Sequence, residues 1–176
     1  MDVQVIRLTP SAIPPMKSTF FSAGLDFCAN ETIMILPGET KKISTGISMY
    51  WSDPNVFLKL ESRSGMAAKY NIFCEAGVID YDYQQEIFVL LLNNGDMPYQ
   101  IMQGDKIAQG LFIQQPMLNT FKVNVNGEQQ EYLPIIGLER NGGFGSTGVW
   151  FTNITEIIII IYFIIFIFIF IRFDIL

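Results

Sequence analysis

Two short segments of the chain carry carboxylates that can serve as a general base. The first is Ala23-Gly24-Leu25-Asp26-Phe27, where one acid lies between apolar residues beside a glycine. The second is Gly77-Val78-Ile79-Asp80-Tyr81-Asp82-Tyr83, at the end of a predicted strand. If the strand continues through this segment, its two acids point to one side and its two phenols to the other. Alone, each segment is more typical of a structural acid in a turn than of a catalytic one.

One further segment carries groups that suit anionic oxygen atoms, and another carries a single polar residue that its pattern does not explain. In Ser62-Arg63-Ser64-Gly65-Met66-Ala67, a guanidinium and a hydroxyl flank a backbone that a glycine lets approach a ligand. A surface ion pair and a helix cap at Ser64 are the structural alternative. In Gly104-Asp105-Lys106-Ile107-Ala108-Gln109, a turn and a buried strand explain every residue except Gln109, which is polar where the strand should be apolar.

A fifth segment, Arg140-Asn141-Gly142-Gly143-Phe144-Gly145-Ser146-Thr147-Gly148, follows the last predicted strand. Its glycines expose backbone N–H groups that can surround an oxyanion. Phe144 has no large neighbours to pack against, so it is available to stack on a ligand. A flexible linker is the alternative, although the arginine, the phenylalanine and the Ser-Thr pair do not suit a plain linker.

The composition limits the chemistry. The chain has no histidine and only two cysteines, which excludes Ser-His and Cys-His nucleophiles and any histidine-bound metal. A metal would therefore be a hard cation on oxygen ligands, with Mg²⁺ the default, and a general base would be a carboxylate. The net charge of −6 argues against nucleic acid as the main partner. So few cysteines suit a reducing compartment, such as the cytoplasm or the nucleus.

Short strands separated by turns dominate the pattern of the chain and predict an all-β sandwich or barrel. One short helix is predicted at Ser64 to Lys69. The predicted strands are Val3 to Leu8, Thr32 to Leu36, Lys42 to Met49, Val56 to Leu60, Ile87 to Leu92, Ile107 to Ile113 and Phe121 to Val125. The predicted organisation is a domain over residues 1–152 and a tail over residues 153–176.

Taken together, the five segments resemble the five motifs of the trimeric dUTPase family in order and spacing, over roughly residues 20–149. The resemblance implies a jelly-roll β-barrel with a mobile glycine-rich arm, assembled as a homotrimer with shared active sites. It implies Mg²⁺-assisted attack of water on the α-phosphorus of dUTP, which yields dUMP and pyrophosphate. This reaction limits uracil in DNA and supplies dUMP for dTMP synthesis.

The resemblance also implies a role for each matching residue. Asp80 corresponds to the general base that deprotonates water, which suits a chain without histidine. Asp26 corresponds to the acid that holds the metal through water. The residues expected to bind the substrate, mainly at its phosphates, are Arg63, Ser64, Gly65, Gln109, Arg140, Gly145, Ser146 and Thr147.

Recognition of the nucleoside is implied at two places. Tyr83 would lie under the deoxyribose, and Phe144 would stack on the uracil. The main chain of Phe73 to Val78 would form a hairpin whose N–H and C=O groups suit uracil and leave cytosine unpaired. The residues of this hairpin expected to line the substrate are Gly77, Val78 and Ile79.

The chain departs from the family pattern at four places. Ser62 stands where the family usually has proline. Glu75 lies in the hairpin where glycine or asparagine is usual, and Gln84-Gln85 replaces a pair such as Arg-Gly. The arm is one residue shorter than usual between Arg140 and Phe144. Two alternatives therefore stand beside dUTP hydrolysis: a catalytically impaired dUTPase-like binding or regulatory protein, and a relative of dCTP deaminase.

The last part of the chain is a run of fifteen apolar residues, Ile157 to Ile171. As a helix it would be about 22 Å long, whereas a bilayer core needs about 30 Å. Isoleucine and phenylalanine are poor helix formers, and such a run is prone to β aggregation. We therefore expect an extension without a known role first, and a membrane anchor only second.

Overall fold

The computed structural model describes residues 1–116, 121–125 and 127–132. All of them belong to the first of two compact units, Met1–Arg140. The glycine-rich arm and the apolar tail lie outside the described residues, so the predicted boundary at residues 152 and 153 stays a prediction. Within the described part of the chain, no helix is long and apolar enough to cross a bilayer.

The described residues form strands and one short helix, which confirms the all-β prediction. The helix is α1 (Ser64–Tyr70). The strands are β1 (Val3–Arg7), β2 (Leu25–Cys28), β3 (Ile33–Ile35), β4 (Thr40–Ser44), β5 (Ile47–Trp51), β6 (Val56–Glu61), β7 (Ile72–Glu75), β8 (Val78–Ile79), β9 (Phe88–Asn93), β10 (Tyr99–Ile101), β11 (Lys106–Gln114), β12 (Phe121–Val125) and β13 (Glu128–Tyr132).

The strands assemble into antiparallel sheets around one apolar core. The largest sheet has the order β2-β11-β6-β8, a second has the order β4-β9-β7, and three pairs are β1-β5, β10-β3 and β12-β13. Alternate residues of the strands point inward, as the two-residue period requires. The largest fully buried side chains are Phe27, Ile35, Ile43, Ile47, Met49, Leu58, Ile72, Ile87, Val89, Leu91, Ile101 and Ile107.

The prediction of one strand over Lys42 to Met49 is wrong, because the chain turns at Gly46. This glycine has a φ of 65°, a backbone angle that residues with a side chain rarely adopt. A Cβ atom there would also lie 2.8 Å from the Cβ of Ala12. The chain therefore leaves the β4-β9-β7 sheet at this turn, and β5 pairs with β1 instead.

The condition that a strand continues through Asp80 is not met. β8 ends at Ile79, and the N–H of Tyr83 donates to the carbonyl of Asp80 at 3.1 Å, which closes a turn. The two phenols do not share a face: Tyr81 is 43% exposed, whereas Tyr83 is only 7% exposed. Alternation fails here because a turn has no two-residue period.

The outer face of the β2-β11-β6-β8 sheet explains the polar residue in β11. Along β6 buried and half-buried residues alternate, so every second side chain points away from the core. Cross-strand pairing places Gln109 between Asp26 and Glu61 on this outer face. The next outer rows are Leu111, Lys59 and Val78, followed by Ile113 and Phe57.

Candidate functional site

A surface cavity of about 270 Å³ brings together three of the five segments. It lies where β2, the start of α1 and β11 meet. Its lining residues are Ser18, Ser22, Ala23, Gly24, Asp26, Arg63, Ser64, Gly65 and Gln109. Residues that are more than eighty positions apart in the chain thus meet in one pocket, as the resemblance implies for the phosphate site.

Asp26 is the most heavily bonded side chain of this cavity. Its Oδ2 atom accepts hydrogen bonds from Ser18 Oγ at 2.6 Å and from Lys106 Nζ at 2.7 Å. Its Oδ1 atom has a longer contact, 3.4 Å from Arg63 Nε. Two cations therefore hold this carboxylate in its charged form, and Oδ1 is the oxygen with room for a bridging water.

The pKa of Asp26 reflects these contacts. Burial raises the pKa of this carboxyl, but the bonds from Lys106 and Ser18 and the charge of Arg63 lower it more. The net result is a pKa below the ordinary value of 3.8. The carboxylate therefore stays ionised at any pH at which the protein operates.

We expect Asp26 to contribute stability that depends on pH in one direction. Because its pKa is lower in the folded chain than in the unfolded chain, the contribution is present above pH 3.8 and is lost as the pH falls through the folded pKa. Urea unfolding of the wild type and of Asp26→Asn should therefore differ most near neutral pH and converge in acid. A difference that grows in acid would contradict the ion-pair assignment.

Arg63 and the first turn of α1 form one wall of the cavity. Arg63 Nη1 donates to the carbonyl of Lys106 at 2.8 Å. The N–H groups of Ser64 and Gly65 begin the helix and therefore have no carbonyl one turn earlier to bond. A Cβ atom on Gly65 would meet nothing within 4 Å, so packing does not require this glycine. It leaves open space that a ligand can approach.

The structural alternative for this segment holds only in part. Arg63 does make an ion pair with Asp26. The alternative of a helix cap at Ser64 does not hold, because Arg63 is the cap residue and no side chain bonds the first turn. The exposed Ser64 hydroxyl is thus available at the mouth of the cavity.

Gln109 is fixed beside these donors by a single bond. Its side-chain nitrogen donates to the carbonyl of Ser62 at 3.0 Å. The side-chain oxygen and the second N–H remain for other partners. This bond orients the amide toward Ser62, the residue before Arg63.

The β7–β8 hairpin packs tightly against β6. The carbonyl of Gly77 accepts a bond from Leu60 N–H at 2.7 Å, and a Cβ atom on Gly77 would lie 2.1 Å from the Leu60 oxygen. The hydroxyl of Ser62 accepts from Cys74 N–H at 2.8 Å. Proline, the residue that the resemblance leads us to expect at this position, has no such acceptor, so Ser62 adds a hydrogen bond that joins the hairpin to the chain beside the cavity.

Ala76 lies at the turn of this hairpin with a φ of 47°. We expect Ala76→Gly to stabilise the protein by about 0.5–1 kcal/mol. The change removes about 1–2 kcal/mol of strain from the left-handed backbone of the folded state. It also costs about 0.5–1 kcal/mol, because glycine gives the unfolded chain more conformational entropy. Urea unfolding measures the change. As a control, Ala68→Gly in α1 should destabilise by about 1 kcal/mol; equal effects of both changes would rule out strain at Ala76.

Neither cysteine is set up as a nucleophile. Burial raises the pKa of Cys74 to about 11, and burial also raises the pKa of Cys28. A thiol with a raised pKa stays protonated near neutral pH and reacts poorly. The carboxylates therefore remain the candidates for base chemistry, as the composition predicts.

Asp80 lies at the other end of β6 from the cavity. Ile79 pairs with Leu58, and Arg63 follows the opposite end of β6. At about 3.3 Å per strand residue, the backbones of Asp80 and Arg63 are roughly 15–20 Å apart. One chain therefore holds two separate groups of candidate residues. We call them the cavity half-site (Asp26, Arg63 and Gln109) and the hairpin half-site (Asp80 and Tyr83).

The hairpin half-site has a fixed aromatic wall. The Tyr83 hydroxyl donates to the carbonyl of Glu86 at 2.7 Å, and the ring is 7% exposed. Val78 is exposed and Ile79 is buried, while Asp80 is half-buried. The remaining candidate residues, Arg140, Phe144, Gly145, Ser146 and Thr147, lie outside the described residues.

Ser18 and Lys106 are site residues that single-sequence reasoning missed. Lys106 lies in the fourth segment, where its pattern is that of the solvated start of a strand. Ser18 lies eight positions before Asp26 in a loop, and no signal marks it. Neither residue could be predicted from the sequence, because the contacts around Asp26 depend on the pairing of β2 with β11.

Known proteins are similar to this chain in sequence and in fold. The sequence model of the dUTPase family matches residues 10–148. A deoxyuridine 5'-triphosphate nucleotidohydrolase from Histophilus somni (strain 2336) is 41% identical over 155 residues, which cover 84% of this chain and 97% of that protein. One from Haemophilus influenzae (strain PittEE) is 39% identical over 155 residues, which also cover 84% of this chain and 97% of that protein. The structure of a mutant dUTPase from phage phi11 of S. aureus, described as coordinating a structural Mg(II) ion, matches this fold with a TM-score of 0.66 and 23% identity, over 73% of this chain and 100% of that one.

Proposed function

The chain belongs to the dUTPase family, enzymes that hydrolyse dUTP, and from this premise we propose how its residues divide the reaction. Water activated by Asp80 attacks the α-phosphorus of dUTP and releases dUMP and pyrophosphate. The observation that carries the proposal is the cavity in which Asp26, Arg63 and Gln109 converge with the open turn at Gly65.

The cavity is suited to a triphosphate. Arg63 and the Gln109 amide supply donors on one side, and the N–H groups of Ser64 and Gly65 point out of the first turn of α1. Donors fixed before the reaction stabilise charge that develops on phosphate oxygens without a cost of reorganisation. Arg63 is already held by Asp26 and by the Lys106 carbonyl, so its position is set in the free protein.

Asp26 suits a metal that is held through water. Within the described ranges no three acidic, cysteine or histidine side chains group into a complete metal site. Mg²⁺ commonly keeps several waters and uses one or two carboxylates with substrate phosphates. Oδ1 of Asp26, with only the 3.4 Å contact to Arg63, is the oxygen that can accept from such a water. When bound, Mg²⁺ offsets the negative charge of the triphosphate.

The hairpin half-site is suited to the nucleoside. Asp80, half-buried at the end of β8, is the base that takes a proton from the attacking water. Tyr83 is held by Glu86 and closes the space where a 2′-hydroxyl would lie. The backbone of Phe73 to Val78 reads the base, with Gly77, Val78 and Ile79 against the substrate.

The separation of the two half-sites supports a site that is built from different copies of the chain. Within one chain the backbones of Asp80 and Arg63 are roughly 15–20 Å apart along β6, so the two groups of residues do not line one cavity of a single copy. We therefore propose a homotrimer whose sites combine the cavity of one copy with the hairpin of another. Arg140, Ser146 and Thr147 of the arm would close on the γ-phosphate, and Phe144 would stack on the uracil beside Gly145.

A pyrophosphate-release assay with Mg²⁺ tests this function. We expect dUTP to be hydrolysed with a kcat/KM at least about a hundredfold above dCTP, dTTP and UTP; this is a lower limit, since leaving buried polar groups unpaired can discriminate by about ten thousandfold. Release of ammonia from dCTP would instead indicate a deaminase. Binding of dUTP without turnover would indicate a binding protein, a result for which Glu75 in the hairpin would be the first residue to test.

A further inference from the structure

The chain just after the hairpin half-site is bonded to the turn that joins β4 to β5. Oε1 of the Glu86 carboxylate accepts a hydrogen bond from the N–H of Gly46 at 2.8 Å and another from the hydroxyl of Ser44. The N–H of Ile87 donates to the carbonyl of Ile47 at 2.8 Å. The carboxylate is half-buried, so it is partly withdrawn from competing water. This segment is therefore fixed by a turn that lies 40 positions earlier in the chain.

Two buried hydroxyl groups of the same region add to these bonds. The hydroxyl of Thr45 donates to the carbonyl of Ile87, and the hydroxyl of Ser48 donates to the carbonyl of Gln84 at 3.2 Å. Both donor residues are buried. Burying a hydroxyl is costly unless it forms a hydrogen bond, and an apolar side chain would pack there without that cost. The two hydroxyls thus fix the backbone on either side of Glu86.

Glu86 is the residue through which this network reaches the hairpin half-site. Its carboxylate is bonded by the turn, while its main-chain carbonyl accepts the hydroxyl of Tyr83 at 2.7 Å. Both contacts belong to one residue, so a shift of its backbone also shifts the acceptor that holds the phenol. None of the five segments of the sequence includes Glu86. Its importance follows from these contacts alone.

A fixed ring matters for recognition of the sugar. A 2′-hydroxyl adds one oxygen atom to deoxyribose, so a ring that excludes it must keep its position to within about 1 Å. Deoxyribose lacks this atom, and a looser ring therefore still accepts dUTP. Recognition of the base is separate, because the β7–β8 hairpin pairs with β9 and β6 instead of with the β4–β5 turn.

We propose that Glu86 is a positioning residue that sets the discrimination between dUTP and UTP by holding Tyr83 in place. The proposal rests on the proposed function and adds to it the residue that fixes the specificity for the sugar. The turn at Gly46 is a rigid base for this arrangement, because its positive φ and its packing against Ala12 leave it little freedom.

The test compares kcat/KM for dUTP, UTP and dCTP between the wild type and full-length Glu86→Ala. Alanine removes the acceptor of two hydrogen bonds, so the ratio of dUTP to UTP should fall about tenfold or more. The ratio of dUTP to dCTP should not change. An unchanged ratio of dUTP to UTP overturns the proposal, and so does an equal fall of both ratios, which is the result that a merely structural role would give.

Two matched variants accompany this measurement. Glu86→Gln should keep the wild-type ratios, because the oxygen of its amide can accept the same two bonds. Gln85→Ala should also keep them, because Gln85 is the neighbouring residue, is exposed and lies outside the network.

Tyr83→Phe shows whether Glu86 acts through the ring. Phenylalanine keeps the ring and removes the hydroxyl, so this variant should lose the same discrimination between dUTP and UTP. The double variant of Glu86→Ala and Tyr83→Phe should then discriminate no worse than either single variant. Losses that multiply overturn the proposal, because the two residues would then act independently.

Ser44→Ala keeps the test decisive if Glu86→Ala does not fold. It removes one of the two donors to the carboxylate, so the ratio of dUTP to UTP should fall about threefold. An unchanged ratio in this variant overturns the proposal.

Equilibrium binding separates failure of this proposal from failure of the proposed function. With EDTA in place of Mg²⁺, calorimetry gives the dissociation constants of dUTP and UTP without turnover. A wild type that binds dUTP in preference to UTP, loses the preference in Glu86→Ala and leaves dUTP intact removes only the function. A Glu86→Ala variant that hydrolyses dUTP and rejects UTP as strongly as the wild type removes only the positioning role.

Discussion

An Asp80→Asn variant is expected to fold, assemble and bind dUTP, yet to hydrolyse it roughly a hundred to ten thousand times more slowly. The amide keeps the shape of the side chain but cannot accept the proton of the attacking water. With no histidine in the chain, no imidazole can take over this role. The loss should therefore appear in kcat, while KM changes little.

Asp82→Asn is the matched control for this experiment. Asp82 lies two residues further along, is exposed, and belongs to the same acidic turn. It should retain most of the wild-type rate, because a solvated acid contributes only weakly to the charge at the site. Equal losses in both variants would show that the turn contributes by its overall charge, and full activity of Asp80→Asn would remove the mechanism.

Mixing two inactive variants is expected to restore activity. Arg63→Ala lacks the phosphate donor, and Asp80→Asn lacks the base, so each alone should be nearly inactive. If a site takes Arg63 from one copy and Asp80 from another, random exchange of subunits in an equal mixture completes about a quarter of the sites. The mixture should thus reach about a quarter of the wild-type rate after the trimers are dissociated and reassembled.

Whether activity returns distinguishes a site built from two copies from a site built within one chain. If both residues served the same site from within one chain, neither variant would contain an intact chain, and the mixture would remain as inactive as its components. Mixing Arg63→Ala with Gln109→Ala is the control. Both changes remove groups from the same cavity of one chain, so exchange between these two variants should restore no activity.

Much of the fold could be predicted because many of its strands have a clear local pattern. β11 is an apolar run that begins after the Gly104-Asp105 turn, and the prediction of Ile107 to Ile113 lies within it. The prediction of α1 is correct to within one residue at its end. In contrast, β2 and β10 are only three or four residues long, too short for a period to show.

The hairpin was harder to predict as two strands. The apolar run that starts at Ile72 is interrupted by Glu75-Ala76-Gly77, which obscures both β7 and β8. Ala76 carries a positive φ that no propensity predicts for alanine. The close approach of Gly77 to Leu60 is a contact across seventeen positions, so the need for glycine becomes visible only in the fold.

The arrangement of the site depends on pairings that a single sequence does not contain. Asp26 and Gln109 become neighbours only because β2 pairs with β11 in one register. A shift by one residue would turn Gln109 into the core. The resemblance to a family supplied the motifs, whereas the partners of Asp26 on Ser18 and Lys106, and the tie from Ser62 to Cys74, follow from the structure.

The most direct test of the central claim is to hydrolyse dUTP with the purified protein and Mg²⁺ in water labelled with heavy oxygen. Attack at the α-phosphorus puts the label into dUMP and leaves pyrophosphate unlabelled, and mass spectrometry separates the two products. Label in dUMP is the result we predict. Label in pyrophosphate or in inorganic phosphate, or no hydrolysis at all, would contradict the account.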